Sequence, residues 1–315
     1  MTMTFARKGL QLIPTILGVV TLVFLMVRFL PGDPATFIAG ENAPQAAVDA
    51  LRQKLDLNSP MEAQYWHYIS STLQLDLGRS LLTGREVRVM IGDALPTTVL
   101  LGVVSLFLSF AVAVPLGATA AFLASKGRGA FDQALTMFVM VIDMVPGFWL
   151  ALVLLLVVSL KLQLLPATGP MTWGDPLLLA KRIALPVLVL SVGPVATIAR
   201  ITRTAVLEVL NEDYIRTARA MGTPDRSILF AHALRNAALP VVTIAGLGFG
   251  RLLGGTVIIE TIFALPGMGT ILINGINGRD YPVVQGLVLM YASLLVLVNL
   301  ATDVVYTWVD PRVKF

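Results

Sequence analysis

Long apolar stretches separated by short polar segments dominate the pattern along this chain. A helix needs about 20 apolar residues to cross the hydrocarbon core of a bilayer, and six stretches are long enough. The first could pass for a signal peptide, but it is long and no small-residue cleavage site follows it. The pattern therefore predicts an all-α integral membrane protein with six transmembrane helices, at residues 9–30, 97–124, 133–160, 183–201, 237–259 and 283–307.

The basic residues predict the orientation of these helices. An even number of helices places both termini on one side, and cytoplasmic loops carry an excess of Lys and Arg. Lys181 and Arg182 fall on the opposite side, but most basic residues of the short loops fall on the side of the termini. That side is assigned to the cytoplasm, with residues 308–315 as a tail. The assignment depends on Arg7, Lys8, Lys126, Arg128, Arg200, Arg203, Arg216, Arg219, Arg226, Arg235, Arg312 and Lys314.

Residues 31–96 form the longest segment between predicted transmembrane helices, and they fall on the outer side. They contain more acidic than basic residues. Pro44 can open a helix whose apolar residues recur at helical spacing as far as Leu55, and residues 65–73 repeat the pattern. The segment is therefore predicted to hold two short helices in the periplasm; a flexible linker fits this periodicity less well.

The composition excludes several other classes of protein. Hydrophobic residues make up 56% of the chain and charged residues 13%, against about 25% charged in soluble domains. The net charge of +4 comes from scattered basic residues, which argues against nucleic-acid binding. The chain has no cysteine, and its two histidines, His67 and His232, fall on opposite sides of the membrane. No metal site is therefore expected.

A short helix is predicted in the long cytoplasmic segment at residues 202–236, between the fourth and fifth transmembrane helices. Asn211 and Asp213 can cap a helix that runs over residues 214–221. Gly222 suits the left-handed conformation that ends many helices, and Pro224 prevents continuation. An isolated helix of this length is marginal in water, so a docking partner would explain its persistence.

The apolar face of this helix suggests where it docks. Ile215, Ala218 and Met221 share one face, flanked by Arg216 and Arg219. Small side chains let a helix lie deep in a partner's groove. The alternative is an amphipathic helix lying on the inner leaflet through its arginines. The residues alone leave these two interpretations open.

The whole segment resembles the cytoplasmic EAA loop of binding-protein-dependent ABC importer permeases, in the branch that carries dipeptides, oligopeptides, nickel complexes and glutathione. The similarity continues in LIPTILGVVTLVFLMVRFLPGDPA near the start, in GGTVIIETIFALPGMG and in the closing DPRVKF. Arg216 stands where most of the superfamily has the glutamate that names the loop. The peptide branch resembles this chain at that position. The matching residues are Asp213, Tyr214, Arg216, Thr217, Ala218, Arg219, Ala220, Gly222, His232, Leu234, Arg235, Asn236, Leu239, Pro240 and Thr243.

The resemblance implies a type I ABC importer permease fold, with a transmembrane core at residues 97–307. It implies that residues 213–225 form a coupling helix that docks on an ATPase subunit. The expected docking residues are Asp213, Tyr214, Ile215, Arg216, Thr217, Ala218, Arg219, Ala220, Met221 and Gly222, and the loop motif adds His232, Arg235, Asn236 and Pro240.

The resemblance also implies the partners of this chain. These are two ATPase subunits, a second homologous permease subunit and a periplasmic substrate-binding protein, all assembled in membrane lipid. The sequence has no G-x-x-x-x-G-K-[ST] motif, so ATP and Mg²⁺ are expected on the ATPase subunits and no cofactor or catalysis is expected here.

The expected function is the import of dipeptides or short oligopeptides, with glutathione or a nickel chelate as the alternative cargo. A secondary transporter would instead show inverted repeats and coupling-ion residues at mid-membrane, and a membrane enzyme would show grouped catalytic residues. The sequence shows neither pattern.

Charged residues inside the predicted helices are candidates for the translocation pathway, because an ionised side chain facing lipid is costly. Asp143 and Arg251 lie deep, and Asp143 either lines the pathway or pairs with a basic residue such as Arg251. Glu260 and Asp303 lie near helix ends, where a side chain that reaches the headgroups is an equally good interpretation.

Three glycines, Gly246, Gly250 and Gly254, recur every fourth residue in the fifth transmembrane helix. They form one stripe along which another helix can approach closely. The expected neighbour is the partner permease.

Overall fold

The computed structural model describes residues 14, 16–25, 34–40, 43–54, 57–127 and 129–309. These residues are helices and turns, with one isolated bridge between Arg79 and Glu86. Half of the first predicted transmembrane helix, and residues 310–315 of the predicted tail, lie outside the described residues. So do Arg7, Lys8, Arg128, Arg312 and Lys314, whose charges entered the orientation.

The helices begin with four short ones, and the longest follow. Their order is α1 (Ile16–Leu25), α2 (Pro34–Ala39), α3 (Gln45–Lys54), α4 (Met61–Leu73), α5 (Val87–Ser125), α6 (Gly129–Asp143), α7 (Gly147–Leu154), α8 (Pro176–Leu210), α9 (Asp213–Ala220), α10 (Asp225–Ser227), α11 (Leu234–Ile262), α12 (Met268–Asn277) and α13 (Tyr281–Val309). A π-helical turn, Leu155–Lys161, extends α7, and another, Ile228–Ala233, joins α10 to α11. Helices α3 and α4 lie where two short outer helices were predicted, and α2 was not predicted.

Among the described residues, four helical segments are long and apolar enough to cross a membrane. They are Val87–Ser125, Pro176–Leu210, Asp225–Ile262 and the described part of α13, Tyr281–Val305. A bent pair made of α6 and α7 can supply a fifth crossing. Helix α1 is apolar but shorter, and the rest of its predicted stretch lies outside the described residues. The protein is thus a multi-pass helical membrane protein, and the count of six stays a prediction.

The third predicted transmembrane helix, at 133–160, is interrupted in the structure. Segments Asp132–Asp143 and Gly147–Lys161 meet at an angle of 88°. The cause is Pro146, which lacks an N–H group, disfavours a helical conformation at the preceding residue and here adopts an extended backbone with ψ of 128°. The two helices therefore form a broken crossing or a re-entrant loop.

The chain divides into two units, of which the first contains residues 1–96 and 266–296. A buried carboxylate stabilises this unit. Asp280 is 2% exposed and accepts hydrogen bonds from the Ser80 hydroxyl and from the backbone N–H of Leu81 at 3.0 Å. Such bonds compensate the cost of burying a charged group. The apolar core of the unit is formed by Val87, Ile91, Ala94, Met268, Val283 and Leu287.

The second unit, residues 97–265 and 297–315, is organised around α8, which packs most extensively against α11. Serine hydroxyls join α8 to α5 inside the bundle: Ser191 donates to the Ser105 carbonyl at 3.0 Å, and Ser109 donates to the Ser191 carbonyl at 3.3 Å. Small and hydroxyl residues are the usual means by which transmembrane helices approach closely. A side chain at Gly117 would collide with the backbone at Ala199, so α5 and α8 come into direct contact there.

Candidate functional site

The short helix α9 ends as predicted but begins differently. The Gly222 N–H donates to the Arg219 carbonyl and the Thr223 N–H to the Ala218 carbonyl, both at 3.0 Å, and Gly222 has a φ of +81°. This is the Schellman arrangement, in which a left-handed residue closes a helix. At its start, the prediction of capping by Asn211 and Asp213 was wrong. Asp213 is already helical, and the residue before the helix, Glu212, makes no capping hydrogen bond with its side chain.

The apolar face of α9 is turned toward its own protein. Ile215 is fully buried in a cluster that includes Val206, Leu210 and Ile228. Ala218, one turn further along, is 8% exposed. Met221 is 75% exposed instead. The prediction that Ile215, Ala218 and Met221 form one face for a partner's groove was therefore wrong for the first two, because the transmembrane bundle itself covers them. The opposite face of α9 is exposed and carries Asp213, Arg216, Thr217 and Ala220.

A hydrogen bond joins α9 to α11. The Asn236 side-chain amide donates to the Tyr214 hydroxyl at 2.7 Å, which brings together two residues of the predicted loop motif. Of the others, His232 is half-buried in the π-helical turn before α11, while Arg235 and Pro240 are exposed on α11. Arg216 lies 3.3 Å from Asp213 within α9, in an exposed pair that contributes little to stability. The bond from Asn236 therefore fixes the orientation of α9 relative to a transmembrane helix.

Two ion pairs near α9 were not predicted from the sequence. Lys126, after the end of α5, pairs with Asp225 at the start of α10. Arg203 of α8 makes a two-pronged pair with Asp132 of α6, whose side chain is 10% exposed. Paired geometry of this kind gives Arg–carboxylate contacts both strength and direction. The first pair connects the segment after α9 to the loop between α5 and α6, and the second connects α8 to α6.

The second feature is a cavity of about 620 Å³ in the second unit. It lies where α6 breaks from α7 and where both face α8 and α11. Among the described residues that line it, Asp143 and Arg251 are the charged ones, both exposed, and Thr197 is the one other polar side chain. No described residue forms an ion pair with Asp143 or Arg251, so the pairing hypothesis finds no contact in this chain. Apolar lining residues include Ile142, Phe148, Val189, Ile198, Leu247, Leu252 and Ile258.

Glu260, the third pathway candidate, does not line this cavity. It is fully buried in the protein and accepts a hydrogen bond from the Thr98 hydroxyl at 2.7 Å. A buried acceptor of this kind connects α11 to α5. The structure thus favours neither the pathway role nor the interpretation that Glu260 reaches the headgroups, because its side chain is enclosed.

The three glycines of α11 have different surroundings. A side chain at Gly246 would collide with Thr302 of α13 in the same chain, whereas one at Gly254 would meet nothing within 4 Å. Gly250 is half-buried between them. At Gly246 the close neighbour is therefore the protein's own last helix, not the partner that was expected.

We expect Gly246→Ala to lower the melting temperature of the purified protein in detergent, because overpacking of this kind costs about 1–3 kcal/mol. The matched control is Gly254→Ala in the same helix, which is expected to change the melting temperature little. Shortening the opposing side chain with Thr302→Ala should restore part of the loss. Equal melting temperatures for the two glycine variants would contradict this packing.

Among the described residues, no three or more His, Asp or Glu side chains are grouped so that they could hold a metal ion. The candidate site thus consists of an exposed helix anchored to a transmembrane bundle and a cavity within that bundle.

Comparison with known proteins identifies the family. The model of the binding-protein-dependent transport system inner membrane component matches residues 113–315, and that of the N-terminal part of such membrane components matches residues 1–102. The chain belongs to this family and is an ABC importer permease, a transport component rather than an enzyme.

Relatives of similar length cover the whole chain. A protein of Brucella abortus strain 2308, which carries the provisional name of a peptide transport system permease, is 38% identical over 316 residues and covers 100% of both chains. The glutathione transport system permease protein GsiC of Escherichia coli K12 is 39% identical over 310 residues, 98% of each chain.

A solved structure shows the same fold. A chain of the inward-facing MetNI methionine ABC transporter, in its CY5 native crystal form, superposes with a TM-score of 0.58 at 19% identity. The match covers 70% of this chain and 96% of that one. The fold is therefore that of a type I ABC importer permease.

Proposed function

We propose that this chain is the permease subunit through which an ABC importer moves dipeptides or short oligopeptides across the bacterial inner membrane. The observation that carries the proposal is the similarity along the entire chain to a relative named for peptide transport, at 38% identity over 316 residues. A periplasmic binding protein delivers the peptide, and partner ATPases drive alternating access.

In this proposal α9 is the coupling helix, and the exposed residues within 213–222 form the docking region for one of two ATPase subunits. Those ATPases bind ATP and Mg²⁺. Support comes from its exposed face, with Asp213, Arg216 and Thr217, and from its anchoring: Ile215 is buried in the bundle and Tyr214 accepts a hydrogen bond from Asn236 of α11. A helix fixed to the transmembrane bundle on one side and free on the other can transmit movement from an ATPase to α8 and α11.

The proposed topology has six transmembrane helices, with both termini in the cytoplasm. Residues 1–30 supply the first helix, residues 31–96 lie in the periplasm, and residues 97–307 form the core, surrounded by lipid and joined to a second homologous permease. Residues 308–315 form the cytoplasmic tail. The excess of Lys and Arg in the short loops on one side supports this orientation.

Glutathione is the second candidate cargo. The observation in its favour is the 39% identity to GsiC over 98% of both chains, which is as high as that to the relative named for peptides. Glutathione is itself a small peptide-like molecule with both charges, so similar permeases could serve both cargoes. A nickel chelate is the remaining alternative within the same machinery.

The deciding experiment measures uptake of a labelled dipeptide in cells with the gene, without it, and with it restored. Unlabelled tripeptide, glutathione and a nickel–histidine complex compete in separate samples, and uptake of an unrelated nutrient serves as the control. We expect deletion to abolish dipeptide uptake and only peptides to compete. If deletion leaves dipeptide uptake unchanged but reduces accumulation of glutathione or nickel, the assignment as a permease stands and the proposed cargo is wrong.

A further inference from the structure

The cavity between α6, α7, α8 and α11 has a distribution of charge that matches a particular kind of ligand. One carboxylate and one guanidinium, those of Asp143 and Arg251, stand in a lining that is otherwise apolar except for Thr197. They belong to different helices, and among the described residues neither has an ion-pair partner. Opposite charges that both face a cavity without neutralising each other leave two complementary places for a bound molecule.

Exposure to lipid does not explain these two residues. An ionised side chain that faces hydrocarbon is costly, and charged residues in transmembrane segments usually face a protein interior or a water-filled cavity. Asp143 and Arg251 are exposed in this chain, and both line the cavity. A water-filled cavity is an environment in which ionised side chains are tolerated inside a membrane protein.

The size of the cavity suits a small molecule. Binding pockets for such ligands have volumes of about 300–1,000 Å³, and they are mostly apolar with a few polar groups that fix orientation. The cavity has about 620 Å³ and this same distribution. A ligand with charge of one sign only would leave Asp143 or Arg251 uncompensated, whereas a zwitterion satisfies both.

We infer that this cavity binds the two ends of a zwitterionic peptide, with Asp143 facing the ammonium group and Arg251 facing the carboxylate. The apolar lining then accepts side chains of varied shape, because it offers few fixed hydrogen-bond partners. Recognition of the two ends with little selection between side chains suits a permease whose binding protein has already chosen the cargo. The inference rests on the proposed function and adds residues and a ligand geometry to it.

The absence of native cysteines allows a direct test of occupancy. Thr197→Cys places one reactive thiol in this chain, inside the cavity. The complete transporter, in membrane vesicles, is treated with a small methanethiosulfonate reagent, and the modification of this chain is followed by mass spectrometry so that thiols of partner subunits are not counted. The ligands are dialanine, N-acetyl-dialanine and dialanine amide.

We expect dialanine to slow the labelling of Thr197→Cys about tenfold, because this peptide can make a charged hydrogen bond at each of its two ends. Each blocked peptide has lost the charge at one end and should protect the thiol much less. Adding Asp143→Asn should reduce protection by dialanine while that by the N-acetyl peptide stays the same. Adding Arg251→Gln should also reduce protection by dialanine, while protection by dialanine amide stays the same. Asp143→Glu and Arg251→Lys keep the charges and should keep the protection, and Lys161→Gln, which removes a charge outside the cavity, should have no effect.

Equal protection by all three peptides, or no protection by any, would overturn the inference. This comparison uses Thr197→Cys alone, so it does not depend on whether the variants of Asp143 and Arg251 fold. If the uptake experiment still shows peptide transport in that case, the proposed function stands and only the inference about the cavity fails. If the deletion leaves dipeptide uptake unchanged and dialanine gives no protection, both the function and the inference fail.

Discussion

Gly222→Asp is expected to reduce uptake more than a hundredfold while the protein still inserts into the membrane. Gly222 has a φ of +81° and closes α9, a conformation that Asp tolerates better than most residues. A Cβ atom there meets nothing within 4 Å in this chain, so the substitution adds backbone strain at the positive φ but no steric clash. If α9 docks on an ATPase, the new carboxylate is buried without a partner, at a cost of about 3 kcal/mol or more. The corresponding loss of association is more than about a hundredfold.

The matched control for this variant is Gly84→Asp. Gly84 has a φ of +70° and equally open surroundings, but it lies in the segment that is proposed to be periplasmic. Uptake, the amount of protein in the membrane fraction and co-purification of the ATPase subunits are measured for both variants. Normal uptake with Gly222→Asp would remove the docking assignment, and loss of the protein from the membrane would show a folding defect instead.

Ile215→Ala is expected to destabilise the protein by about 2–5 kcal/mol, the range for truncating a large buried side chain. Ile215 is fully buried against the transmembrane bundle, although it lies in the middle of the helix that we propose for docking. Met221→Ala is the matched control at the exposed end of the same segment and should stay within about 0.5 kcal/mol. Melting temperatures of the purified permease report the difference.

A second pair of measurements separates stability from docking. Met221→Asp is expected to weaken co-purification of the ATPase subunits without lowering the melting temperature, because Met221 is 75% exposed in this chain. Ile215→Ala, in contrast, is expected to lower the melting temperature of the permease. Equal loss of stability in the two alanine variants would contradict the placement of α9 against the bundle.

The break at Pro146 shows how far a hydrophobicity pattern can be taken. Apolar residues continue through 133–160, so the pattern alone predicted one transmembrane helix. A proline within such a stretch can be tolerated with a modest kink or can end the helix, and neighbouring helices decide which of these occurs. Here the backbone turns by 88° and places Asp143 at the edge of a cavity.

The amphipathic character of α9 was predictable, but its direction was not. Helical periodicity places Ile215 and Ala218 on one face, and the glycine and proline that follow indicate where the helix ends. Periodicity does not tell whether that face meets the same chain or a partner, since both environments exclude water. Only the position of α9 against α8 and the turn before α11 decided that these two residues face inward.

The sequence by itself determined the membrane class, the approximate positions of four transmembrane helices and the ABC permease family, because these depend on local hydrophobicity and on a loop motif with fixed spacing. Only the tertiary structure decided which distant residues meet. Arg203 pairs with Asp132 across 71 positions and Lys126 with Asp225 across 99, and Asp143 shares a cavity with Arg251. The physical reason is that such contacts depend on how the helices pack, and a charge in a sequence carries no information about its partner.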